Sequence, residues 1–164
     1  MSSDNPLYHE IILEHYEYPR NKRLLEAPDA LARGANASCG DDLLISIRLT
    51  GDGRAVDQIG WDGHACAIGE ASASMMSEVV AGCDEPAARR WIRSIRGLVT
   101  NKPEEIDPAL DLGDLESLEG VKRYPVRVKC ALLAWEALEE ALTLAEQKRA
   151  TATPAAMQEG DAGG

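Results

Sequence analysis

Residues 43–50 read LLISIRLT, residues 51–53 read GDG, and residues 55–61 read AVDQIGW. In the first stretch Leu43, Ile45, Ile47 and Leu49 fall on one side of an extended chain, because successive side chains of a strand point to opposite faces. GDG then supplies a tight turn, and the pattern predicts an antiparallel hairpin. Helical patterns flank this hairpin on both sides.

Upstream, NPLYHEIILEHYEYPRN offers Asn5 as an N-cap and Pro6 at the first helical position, with Leu7, Ile11 and Ile12 on one face and Pro19 as a stop. Downstream, Ile68, Ser72, Met75, Met76, Val79 and Val80 have helical spacing over residues 67–80, and Gly82 ends the run. Asp84, followed by Glu85 and Pro86, starts another helix with the apolar stripe Ala88, Trp91, Ile92, Ile95 and Val99. Arg89, Arg90, Arg93 and Arg96 occupy its other side, as a solvated face or a docking face for an acidic partner. After a loop-like stretch with a short helix through Leu115 and Leu118, a long pattern through Val128, Leu132, Trp135, Leu138 and Leu142 predicts a final helix over about 126–148. Residues 150–164 are small, polar and rich in Ala and Gly, which predicts a disordered C-terminal tail after a domain spanning 1–149.

With 164 residues and 45% hydrophobic content the chain is expected to be one domain with a real core. That core is aliphatic, since there is no Phe and only three Trp and four Tyr. A formal charge of −11 opposes binding to a phosphate backbone, which argues against nucleic acid as a partner. The apolar runs fall well short of the roughly 20 residues of a membrane span, and MSSDNPLYHE lacks the basic and apolar regions of a signal peptide. A cytoplasmic protein without a membrane partner is expected.

The chain has four cysteines. In a reducing compartment thiols more often serve metal or catalysis than disulfides, although each could also be a small buried hydrophobe. Cys39 falls in a loop before the hairpin, Cys66 where the hairpin hands over to a helix, and Cys130 near the start of the last helix. Helix starts favour anions, so Cys66 and Cys130 are expected to ionise more easily than a free thiol. Asp41 follows Cys39 across Gly40, whose missing side chain lets both donors turn toward one ion. Three thiolates and a carboxylate make a four-coordinate set suited to zinc. Four anionic donors outweigh a dication, and Arg127 and Lys129 are candidates to offset the excess. Spacing alone is a weak signal here, since there is no C-x-x-C pair.

Taken together, NASCGDDL (36–43), GHACAIGEASASMM (63–76) and VKRYPVRVKCALLAWEAL (121–138) resemble the iron–sulfur cluster assembly proteins of the IscU/NifU type, and specifically the SufU branch, over roughly residues 5–145. Lys129 stands where IscU-type scaffolds carry a His before the last cysteine, and the Cys66 to Cys130 interval is longer than a typical scaffold needs. Both features are similar to SufU. The resemblance implies an α+β fold, IscU/SufE-like, with a small three-stranded antiparallel sheet packed by helices and a long C-terminal helix. It also implies one zinc per chain, held by Cys39, Asp41, Cys66 and Cys130. By the same resemblance the protein is a zinc-dependent sulfurtransferase: Cys39 accepts persulfide sulfur from a SufS-type cysteine desulfurase, and the sulfur passes to the SufBCD machinery. The alternative is a scaffold assembling a [2Fe–2S] cluster on the same ligands. Three positions depart from the family pattern: Ala37 for a frequent proline, Ala65 for the glycine before the second cysteine, and Gly69 for a serine.

Other residues have plainer readings. His64 could enter the zinc sphere or relay a proton, but its loop position favours an exposed, unligated imidazole. His9 and His15 read as surface or partly buried helix residues, Cys83 as a packed thiol, and Met75 and Met76 as core fillers.

Overall fold

The expected hairpin is present, and a third strand joins it. The computed structural model describes the backbone of residues 6–163 and the side-chain surroundings of residues 6–150. Strands β1 (Ala30–Asn36), β2 (Asp41–Leu49) and β3 (Val56–His64) form one antiparallel sheet in the order β1-β2-β3. The side-chain pattern of β1, ALARGAN, carries little apolar signal of its own. It is held instead by its register on β2, from Ala30 opposite Ile47 to Asn36 opposite Asp41.

Among the described residues there are four α-helices, α1 (Pro6–Glu17), α2 (Ala67–Val80), α3 (Glu85–Val99) and α4 (Pro125–Gly163), of which α2 and α4 pack on the sheet. Pro6 opens α1 as expected, while Asn5 lies outside the described residues. Asp84 caps α3, its side chain accepting from the Ala87 N–H at 2.8 Å, with Pro86 in the first turn. Gly82, at a φ of 87°, follows the end of α2 in a conformation that side chains disfavour. The link between α3 and α4 is a pair of 3-10 segments, Pro103–Glu105 and Gly113–Arg123, the second burying Leu115 and Leu118. The last helix extends past the end near Lys148 that its pattern suggests, and the side chains of 151–164, expected as a tail, lie outside the described residues.

The core is aliphatic apart from Trp61, Trp91 and Trp135. Leu43, Ile45 and Ile47 of β2 face α4, which lies close over β1: a Cβ on Gly34 would stand 3.1 Å from the Leu133 carbonyl oxygen. Helix α2 packs between α1 and α4 through small residues. Its buried serines bond to both neighbours. Ser72 Oγ donates to the Ala131 carbonyl at 2.7 Å and accepts from Trp135 Nε1 at 2.9 Å. Ser77 Oγ and Trp61 Nε1 both reach the Arg20 carbonyl, which fixes the chain leaving α1.

One expectation changes. His15 is fully buried rather than on the surface or partly buried, with Nδ1 2.7 Å from Ser74 Oγ and Nε2 3.0 Å from Asp114 Oδ2. The apolar stripe of α1 turns accordingly, burying Ile12 and leaving Leu7 exposed. Three of the four arginines on the outer side of α3 are partly exposed and have partners within the chain: Arg89 pairs with Glu85 and Glu146, Arg90 with Asp107, and Arg96 with Glu139.

Candidate metal centre

The alternation that buries Leu43, Ile45 and Ile47 continues back to the first residue of β2. Asp41 therefore faces the core, and it is 3% exposed. A carboxylate in that position needs compensation. Its Oδ1 accepts the Cys66 main-chain N–H at 3.1 Å, but its Oδ2 is buried with no hydrogen-bond partner among the described residues.

Two thiols lie close to that carboxylate. Cys39 lies in the turn between β1 and β2, where its N–H bonds to the Asn36 carbonyl at 3.2 Å and Gly40, at a φ of 70°, brings the chain into β2. Cys130 lies in the second turn of α4, fully buried, and its thiol donates to Cys39 Sγ at 3.3 Å. Donor atoms of Cys39, Asp41 and Cys130 all lie within 4.8 Å of one another. Ligands on a tetrahedral zinc with bonds of about 2.3 Å stand about 3.8 Å apart, so these three fit such an ion with small adjustments. A cation would also supply the partner that Asp41 Oδ2 lacks.

Cys66, the fourth expected ligand, stands outside this group of three. It is the N-cap of α2 in extended conformation, with no capping bond from its side chain, which leaves the thiol available to another partner. Burial above all pushes the Cys130 thiol well above the ordinary thiol range, and the neighbouring Cys39 and Cys66 thiols act in the same direction. This is opposite to the easy ionisation expected of Cys130: burial outweighs a helix dipole five residues from the helix start. Burial raises the Cys83 thiol too, and its Sγ donates to the Val79 carbonyl at 3.2 Å, a packed thiol as expected.

The rim is charged. Arg33 grips Asp42 through two bonds of 2.7 and 2.6 Å, and this contact holds the Asp42 carboxyl below its ordinary range. His64, across from Asp42 on β3, is exposed and does not join the donor group. Arg127 and Lys129 are exposed on the first turns of α4. The departures at 65 and 69 turn out to be linked: a Cβ on Gly69 would fall 2.8 Å from Ala65 Cβ, so the methyl at one position requires its absence at the other. Sequence reasoning missed Glu70, which is buried beside this loop with Lys22 on one carboxylate oxygen and the Ala65 N–H on the other.

The sequence pattern of the NifU-like N-terminal domain matches residues 7–131. The chain belongs to that family. It is 37% identical over 140 residues to the zinc-dependent sulfurtransferase SufU of Bacillus subtilis (strain 168), a match covering 85% of this chain and 92% of the relative. It is 32% identical over 142 residues to the iron–sulfur cluster assembly scaffold protein IscU of Streptococcus pyogenes serotype M1, covering 87% of this chain and 86% of that one. Among solved structures, an iron–sulfur cluster assembly scaffold protein for the SUF system from Fervidobacterium islandicum AW-1 superposes with a TM-score of 0.75 at 31% identity, covering 85% of this chain and 98% of that one. The family and the α+β fold with its three-stranded sheet and long last helix are those that the sequence resemblance implies. No helix among the described residues is long and apolar enough to cross a membrane.

Proposed function

We propose that the protein is a zinc-dependent sulfurtransferase of iron–sulfur cluster assembly, with one zinc held by Cys39, Asp41, Cys66 and Cys130. The observation that carries this reading is the buried Asp41 carboxylate, gathered with the thiols of Cys39 and Cys130 and with one oxygen that has no hydrogen-bond partner among the described residues. A bound zinc would supply positive charge that keeps these thiols as thiolates.

The residues divide the work by exposure. Cys130 is buried and serves as a fixed ligand, whereas Cys39 sits on a turn and is partly exposed. Cys39 is the acceptor in this reading. Its thiolate attacks the terminal sulfur of a persulfide on a SufS-type cysteine desulfurase, forming a new S–S bond at Cys39. The S–S bond to the enzyme breaks, and the desulfurase cysteine leaves as thiolate. The sulfur is then passed to the SufBCD machinery in the cytoplasm. The named activity of the Bacillus subtilis relative supports this assignment.

Assembly of a [2Fe–2S] cluster on the same donors is the second reading, favoured by the IscU relatives. Lys129, at the place where the scaffolds carry a His, is exposed, and a lysine ammonium has no lone pair to donate.

The test is transfer of labelled sulfur from a SufS-type desulfurase to this chain, followed by mapping of the label. Label on Cys39, lost in Cys39→Ala, is expected. A Cys39→Ala variant that accepts sulfur and stimulates the desulfurase like the parent contradicts the acceptor role.

A further inference from the structure

Glu70 lies in the first turn of α2, yet it is 6% exposed. A glutamate at that point of a helix normally reaches into water, where it interacts with the helix N-terminus at no desolvation cost. Here both carboxylate oxygens are engaged. Oε1 accepts from Lys22 Nζ at 2.8 Å, and Oε2 accepts from the Ala65 main-chain N–H at 3.1 Å. Lys22 is itself placed by Trp61, whose ring centroid lies 5.3 Å from Nζ. The Trp61 indole N–H is fixed on the Arg20 carbonyl at 2.9 Å.

The next N–H along the chain, that of Cys66, goes to Asp41 Oδ1. Two successive peptide N–H groups are thus held by two buried carboxylates, one from α2 and one from β2. The Cys66 thiol is outside the tight group formed by Cys39, Asp41 and Cys130, and it caps α2 without a side-chain bond. Where that thiol points is set by the peptides of residues 65 and 66. Lys22 gives the Glu70 carboxylate a counter-charge, which a buried carboxylate requires.

We infer that Glu70, paired with Lys22, is a positioning residue for the metal centre: it holds the Ala65–Cys66 segment so that the Cys66 thiol completes the donor set. This rests on the zinc reading proposed above. Hydrogen-bonding partners of this kind orient ligands, and losing them typically weakens metal binding 10–100-fold.

The experiment uses the full chain, metal-free and then titrated with Co2+ as a coloured substitute for zinc, with a competing chelator to measure affinity. Glu70→Ala is expected to bind cobalt roughly tenfold more weakly and to show a weaker thiolate-to-cobalt absorption band. Glu70→Gln keeps an oxygen for the Ala65 N–H and is expected to recover most of both. Lys22→Met leaves the Glu70 charge unpaired and is expected to weaken cobalt binding while Glu70 remains. If Glu70→Ala does not fold, Lys22→Met carries the test in the same way. Variants with parental affinity and band intensity, even with a lower melting temperature when metal-free, overturn the positioning role. A parent chain with no thiolate-to-cobalt band overturns the zinc reading on which it rests.

Discussion

The Cys66 main-chain N–H donates to Asp41 Oδ1 at 3.1 Å, while the other oxygen of the same carboxylate is buried with no hydrogen-bond partner among the described residues. One half of the side chain therefore organises a loop, and the other half carries an uncompensated acceptor. Asp41→Asn keeps the first half and removes the charge from the second. We expect the metal-free variant to melt at or above the parent's temperature, because a buried charge is costly without a partner. Its zinc affinity is expected to fall at least tenfold, as it does when a ligand's support is lost. Melting curves with and without zinc check both signs.

Trp135→Phe tests the contact that fixes the start of α4. It removes the indole N–H that donates to Ser72 Oγ at 2.9 Å, in a fully buried pair between α2 and α4. The expected loss is about 1–2 kcal/mol, read from denaturant unfolding of the metal-free protein.

Gly60→Ala is expected to be severe. An added Cβ would fall 2.1 Å from the Arg23 carbonyl oxygen, a backbone atom that has no rotamer with which to move aside. A cost of about 3 kcal/mol, at the upper end for overpacking, would lower the melting temperature by about 6–12 °C at this chain length. A change under 2 °C, below about 1 kcal/mol, would show that the loop yields easily.

Glu146 carries a pH signature. Its carboxyl is raised above the ordinary range by a hydrogen bond with Glu85 and by the charge of that residue, with Arg89 acting in the opposite direction. A raised folded-state value means that the group favours folding at low pH and loses that contribution as pH rises through the raised value. Glu146→Gln is therefore expected to be more stable than the parent at neutral pH. The advantage should vanish below the usual glutamate value of about 4.3. Melting temperatures at stepped pH check this.

The hairpin and helices α2 and α3 were legible because their apolar residues follow periods of two and of 3.6, and because Asp84, Pro86 and Gly82 mark helix ends. Strand β1 was not legible from its own residues. Ala and Gly have little strand preference, and β1 is made by its pairing with β2 and by the close approach of α4 over Gly34. At the site, Cys39, Asp41 and Cys130 come together, and Cys66 stands outside that group. The burial of Asp41 was already implicit in the alternation of β2. Glu70 and His15 were hidden for one common reason: each is buried by partners far away in the chain, Lys22 for one and Ser74 and Asp114 for the other. No local pattern carries such a pairing.

The measurement that tests the central claim most directly is the zinc, iron and acid-labile sulfide content per chain of protein purified without air and without added metal. About one zinc per chain, the four-ligand stoichiometry of such a site, with no sulfide is the expected result. Iron with matching sulfide, and no zinc, would contradict the sulfurtransferase reading and make these residues the ligands of an assembled cluster.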